Sequence, residues 1–124
     1  FRAATSLKEG GKVTVLLILQ TTIYPMKKEN NMVKHIVVYK LKEGVNKEEA
    51  VKIVASVLEP LVGKIPGLKK MEIRQCFQGS DYALYSEFES REHLAAYAQH
   101  PLHLEAKSHF HHFIETRTAA DYDA

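Results

Sequence analysis

The sequence predicts an α+β domain over Met32–Ala124: a four-stranded antiparallel sheet in the order β-α-β-β-α-β, with both helices on one face. Three observations predict it. A β-branched and aromatic run follows Met32, the apolar period then switches twice from two residues to three or four, and the strands carry apolar residues on both faces.

Val33–Leu41 reads VKHIVVYKL, the residue types that favour a pleated, packed surface, and forms the first strand. Val33, His35, Val37, Tyr39 and Leu41 share one face; Lys34, Ile36, Val38 and Lys40 share the other. Lys42, Glu43 and Gly44 turn the chain, and Asn46 with Glu49 three residues on reads as a capping box. Val51, Val54, Val57, Leu58, Leu61 and Val62 then make the apolar stripe of a first helix. Pro60 removes a backbone donor and crowds the preceding turn, so the helix should kink or end near Glu59, with Gly63 and Ile65-Pro66-Gly67 stopping it. Leu68–Phe77 alternates as a second strand, placing Met71, Ile73, Gln75 and Phe77 on one face and Lys70, Glu72, Arg74 and Cys76 on the other. Gln78, Gly79 and Ser80 connect it to a third strand, Asp81–Glu89, with Tyr82, Leu84 and Phe88 inward and Ala83, Tyr85 and Glu87 outward. Ser90 reads as the N-cap of a second helix whose core face holds Leu94, Tyr97 and Ala98. Pro101 ends that helix or restarts it as a first-turn proline, and Leu104, Phe110, Phe113 and Ile114 continue the apolar pattern through a second helical piece. Thr116–Tyr122 is the expected fourth strand.

This order is the ferredoxin-like, split-βαβ arrangement. With both helices on one face, the other should be polar, yet it carries Ile36, Val38, Ala83 and Tyr85. A second copy packed sheet against sheet would cover that face, so the expected state is a homodimer, a dimeric α+β barrel with those four residues at its interface.

Composition narrows the function. Residues 32–124 carry twelve basic and thirteen acidic residues, which leaves no electrostatic footprint for nucleic acid. The longest apolar run, Val13–Leu19, is too short to span a bilayer as a helix, so no membrane role is expected. Lys8 and Lys12 ahead of it resemble a signal peptide, but no small-residue cleavage site follows; residues 1–31 read instead as a leader or non-native upstream segment with no fixed role, Met32 being the start. Cys76 is the single cysteine, mid-strand in this reading and so a buried inert thiol; with no partner in the chain it fits a reducing, cytoplasmic location.

Several segments together resemble the stress-responsive dimeric α/β-barrel (Dabb) domain family. They are Val33-Lys34-His35-Ile36-Val37, Ile65-Pro66-Gly67, Asp81-Tyr82-Ala83, Ser90-Arg91-Glu92, Tyr97 to His103 (YAQHPLH) and Asp121-Tyr122, spanning nearly all of Met32–Tyr122 and none of residues 1–31. The resemblance implies the paired-sheet dimer. One plant member, a polyketide cyclase, uses a histidine base assisted by a tyrosine; these positions match His103 and Tyr97 here, and His35 matches a third pocket position. Where the cyclase has a further pocket histidine this chain has Leu84, so the resemblance carries the acid/base pair and not that reaction.

His35 shares its face with Tyr39, so a pocket beneath the second helix should bring His35, Tyr39, Leu84, His100, Tyr97 and His103 together, the last two being the candidate catalytic pair. A neutral imidazole can take a proton from carbon beside a carbonyl while a phenol hydrogen-bonds the developing enolate, chemistry that needs no cofactor. Three function classes follow: a binder of a small, largely apolar molecule, a cofactor-free cyclase or isomerase, or a structural stress-tolerance protein whose cavity is packed shut. In the last, the same side chains are hydrogen-bonded core that closes the break at Pro101. Seven histidines raise a metal site, with His100 and His103, and His109, His111 and His112, at ligand-like spacing; adjacent His111 and His112 cannot share a helix face, and no cysteine or carboxylate completes a set, so a solvated histidine face and no metal is expected.

Overall fold

The computed structural model describes residues 31–124; the leader expected at residues 1–31 lies, but for Asn31, outside them. The elements are β1 (Val33–Leu41), α1 (Lys47–Leu58), β2 (Leu68–Gln75), β3 (Tyr82–Phe88), α2 (Arg91–Gln99), α3 (Pro101–Ser108) and β4 (Ile114–Asp123), with single 3-10 turns at Glu59–Leu61 and His111–Phe113. The sheet order is β2-β3-β1-β4, every pair antiparallel. This is the ferredoxin-like α+β fold.

Each boundary has a local cause. Asn46 accepts a hydrogen bond from the Glu49 amide at 2.9 Å and so starts α1. Pro60 turns the end of that helix into a 3-10 turn, and the freed Glu59 carboxylate accepts from the Ile73 amide at 3.1 Å, blunting the edge of β2. Ser90 caps α2 by accepting from the His93 amide at 3.1 Å. His100 adopts an extended backbone ahead of Pro101, which breaks the second helix into α2 and α3.

The core lies between the sheet and the helices. Val33, Val37, Tyr39 and Leu41 of β1, Leu68, Met71 and Ile73 of β2, and Tyr82, Leu84 and Phe88 of β3 are buried against Ala50, Val54 and Leu58 of α1 and Tyr97 and Ala106 of α2 and α3. Burying each large apolar side chain stabilises by about 1.5–3 kcal/mol. Leu68 joins Met71 and Ile73 on the inner face because the β2 register shifts between Leu68 and Lys70. Ser86, polar and unassigned in the alternation, is also fully buried, its hydroxyl donating to the His35 carbonyl at 3.2 Å.

Three expectations are corrected. Phe77 does not pack inward: β2 stops at Gln75 and Phe77 is 100% exposed in the connection. Cys76 is likewise in that connection and half-buried, not a buried mid-strand thiol. The second helical piece ends at Ser108, so Leu104 points outward while Phe110 and Phe113 reach the core from a turn and Ile114 opens β4. Their three- and four-residue spacing from Ala106 mimics a helix that the chain has already left.

Candidate functional site

Between the sheet and the α2–α3 corner lies a pocket of about 260 Å³. His35 and Tyr39 of β1, Leu84 of β3, Tyr97 of α2 and His103 of α3 all stand on its wall, with Leu58, Leu94, Ala98, Phe110 and Ile114 as apolar neighbours and Lys107 and Arg117 completing it. His100 is absent from this wall. Its Nδ1 accepts from the Leu102 amide at 3.1 Å, so the ring is spent on capping α3 at the break.

The helix break positions the central pair. Tyr97 ends the core face of α2, Pro101 restarts the helix, and His103 in the new first turn comes back over Tyr97 with ring centroids 4.2 Å apart. Tyr97 in turn packs on Phe88 at 5.0 Å. The His103 Nδ1–H donates to the Ala98 carbonyl at 3.3 Å, leaving Nε2 as the basic nitrogen. Burial holds His103 below the ordinary imidazole value of 6.5; the Ala98 bond opposes this, while Lys107, Arg117 and His35 add to it. Burial pushes the Tyr97 hydroxyl up, which keeps it a donor. Tyr39 is also raised by burial, and Arg117 beside it works in the opposite direction.

His35 is buried at 8% exposure, and its Nδ1 bonds the Asp121 carboxylate. A carboxylate oxygen accepts, so Nδ1 is the donor in this bond and Nε2 is left outside it. This contact follows from register, since β1 pairs β4 with His35 opposite Asp121 and Tyr39 opposite Arg117. Asp121, Arg117 and Lys107 are site residues that the sequence patterns above do not mark. The alternation of β4 carries the signal, Arg117, Ala119 and Asp121 sharing one face, but only the pairing shows that this face meets His35 and Tyr39.

On the opposite face, Val38 lies between Ala83 and Thr118, and Ile36 between Tyr85 and Ala120. All four expected interface residues are half-buried within this single chain. Charged Lys70, Glu72 and Arg74 of β2 flank the apolar centre. No group of three His, Cys, Asp or Glu with metal-holding geometry occurs among the described residues, and no helix among them is long and apolar enough to cross a membrane.

A ferredoxin-like sheet with a histidine- and tyrosine-lined pocket under a broken second helix, and an apolar face opposite, defines a small α+β barrel protein. The profile of the Stress responsive A/B Barrel Domain (Dabb) matches residues 33–124, and the chain belongs to that family. It is 28% identical over 103 residues to the stress-response A/B barrel domain-containing protein HS1 of Arabidopsis thaliana, covering 78% of this chain and 94% of that one. A dimeric protein of unknown function and ferredoxin-like fold from Bacteroides fragilis is 32% identical, with a TM-score of 0.69 over 75% of this chain and 96% of its own. A hydroxynitrile lyase from Passiflora edulis shares the fold alone: 18% identity, TM-score 0.66, 77% of this chain and 94% of its own.

Proposed function

We propose that this protein works as a homodimer that binds a small, largely apolar molecule in the pocket lined by His35, Tyr97 and His103. The observation that carries the reading is the open volume of about 260 Å³ beside those three side chains, because a purely structural role would leave the same space packed shut. The pairing is supported by the apolar row Ala83, Val38, Ile36 and Tyr85 on the uncovered face and by the dimeric description of the Bacteroides fragilis relative. The reading extends to a cytoplasmic protein, on its lone cysteine, and to residues 1–31 having no part in folding or pairing.

Titration with small ketones, phenols and esters, followed by amide chemical-shift mapping, tests it. Shifts should cluster at His35, Leu84, Tyr97 and His103. No shifts with any probe, or shifts confined to the outer helix surface, would overturn it.

A second reading, a cofactor-free acid/base enzyme, is favoured by the state of the two imidazoles. Each has its Nδ1–H engaged, by Asp121 and by the Ala98 carbonyl, so each offers Nε2 as a base. In such a reaction Nε2 of His103 takes a proton from carbon beside a carbonyl, the C–H electron pair moves to the enolate oxygen, and the Tyr97 hydroxyl hydrogen-bonds that oxygen. Exchange of the α-protons of a 1,3-diketone in heavy water reads this step directly. His103→Ala should abolish it and Tyr97→Phe should slow it by about 10²-fold; exchange no faster than in buffer with the unmodified protein would sink it.

A further inference from the structure

The pocket wall is chemically lopsided. It carries two permanent cations, Lys107 and Arg117, and no carboxylate. Asp121 stands behind His35 and is bonded to it, not on the wall. Neither Lys107 nor Arg117 is in an ion pair among the described residues, although Lys47, Lys69, Arg74 and Arg91 all are. The two cations come from different elements, Lys107 from the last turn of α3 and Arg117 from β4, and both stand on the wall of one pocket near His103, together with the apolar Leu58, Leu84 and Phe110.

We infer that this pocket selects a small carboxylate with an apolar body, its head held by Lys107 and Arg117 and its body inserted toward Leu84 and Phe110. The inference rests on the ligand-binding reading above and names the ligand class for that site. A neutral carbonyl can accept a hydrogen bond from either cation but brings no charge to them, whereas a carboxylate answers both charges and matches the planar fork of an arginine in two parallel hydrogen bonds. A multiply charged phosphate fits less well. Phosphate sites recruit helix N-termini and their free amides, and here α3 presents its C-terminal turn, whose carbonyls disfavour a doubly charged phosphate more than a singly charged carboxylate. Lys107 in that turn also offsets the helix dipole, so its charge alone does not define a ligand site; Arg117, on a strand across the pocket, supplies the independent half.

Phenylacetate and phenylacetamide share one shape and differ in the charge of the head group, and calorimetric titration of the full chain with each, at low salt and about pH 8, tests the assignment. The carboxylate should bind about tenfold more tightly, and the gap should narrow in high salt, as expected for exposed charges. In the double variant Lys107→Gln, Arg117→Gln the carboxylate should lose its advantage, the two ligands binding equally. Equal binding of both ligands by the unmodified protein would overturn the charge selection while leaving the pocket reading intact. A preference that survives in the double variant would overturn the assignment to these two residues. Binding of neither ligand would remove the pocket reading and this inference with it.

Discussion

Tyr82 has no exposed surface, is stacked on Tyr39 with ring centroids 4.5 Å apart, and its hydroxyl meets no hydrogen-bond partner among the described residues. A buried donor left unsatisfied costs about 1–3 kcal/mol, so Tyr82→Phe, which keeps the stack, should stabilise the protein by about 1 kcal/mol and raise the melting temperature by about 4–8 °C. A lower melting temperature would mean that the hydroxyl has a partner in solution. His103 supplies a pH dependence of known sign. Its folded value lies below 6.5, so the unfolded chain takes up the proton first. The stability it contributes is complete above about pH 6.5 and is lost as pH falls from there through the folded value. Urea midpoints from about pH 7.5 to about pH 5 should therefore decline in the unmodified protein and decline less in His103→Gln. That His103 and Tyr97 belong to one site is legible in the YAQHPLH segment. That Asp121 orients His35 is not, because 86 residues separate them and only the β1–β4 register brings them together.

At the scale of elements, the connection before β2 and the start of α2 depend on one glycine. Gly67 has φ of +84°, a backbone few side chains adopt, and a Cβ there would lie 2.2 Å from Cγ of His93. Its carbonyl accepts from the Glu89 amide at 2.9 Å, and His93 Nδ1 is hydrogen-bonded to Ser90 Oγ, so neither side yields easily. Gly67→Ala should cost about 2–3 kcal/mol in chemical denaturation. Adding His93→Ala should recover the steric part and leave the backbone part, and full recovery would show that backbone strain contributes nothing. Helix starts, the break at Pro101 and the strand-two turn were readable because each depends on chemistry within a few residues. The end of β2 and the stop of α3 were not. Phe77 and Leu104 continue an alternation or period that nothing local interrupts, and only the lack of a facing element leaves them in water.

At the scale of the whole molecule, the uncovered sheet face predicts assembly. Its centre is Val38 and Ile36 between Ala83, Tyr85, Thr118 and Ala120, and placing charge there should cost a pairing and not a fold. The double variant Ile36→Asp, Val38→Asp should run as a single chain in light scattering with an unchanged far-ultraviolet spectrum, while the unmodified protein runs as a dimer. A variant that remains dimeric would place the interface elsewhere. The Glu59 carboxylate on the β2 edge and the charged Lys70, Glu72 and Arg74 of that strand work against pairing through that edge.

By itself the sequence determined the order of elements, their caps and breaks, and the presence of two apolar sheet faces, because these follow from periodicity and from side chains acting on their own backbone. Tertiary structure alone decided which charged groups join the sequence-legible histidines and tyrosines of the pocket and which expected residue stays out of it. The Asp121 partner of His35, the two cations on the wall and the exclusion of His100 are set by strand register and by where a broken helix lands, and those depend on residues far apart in the chain meeting across a packed core.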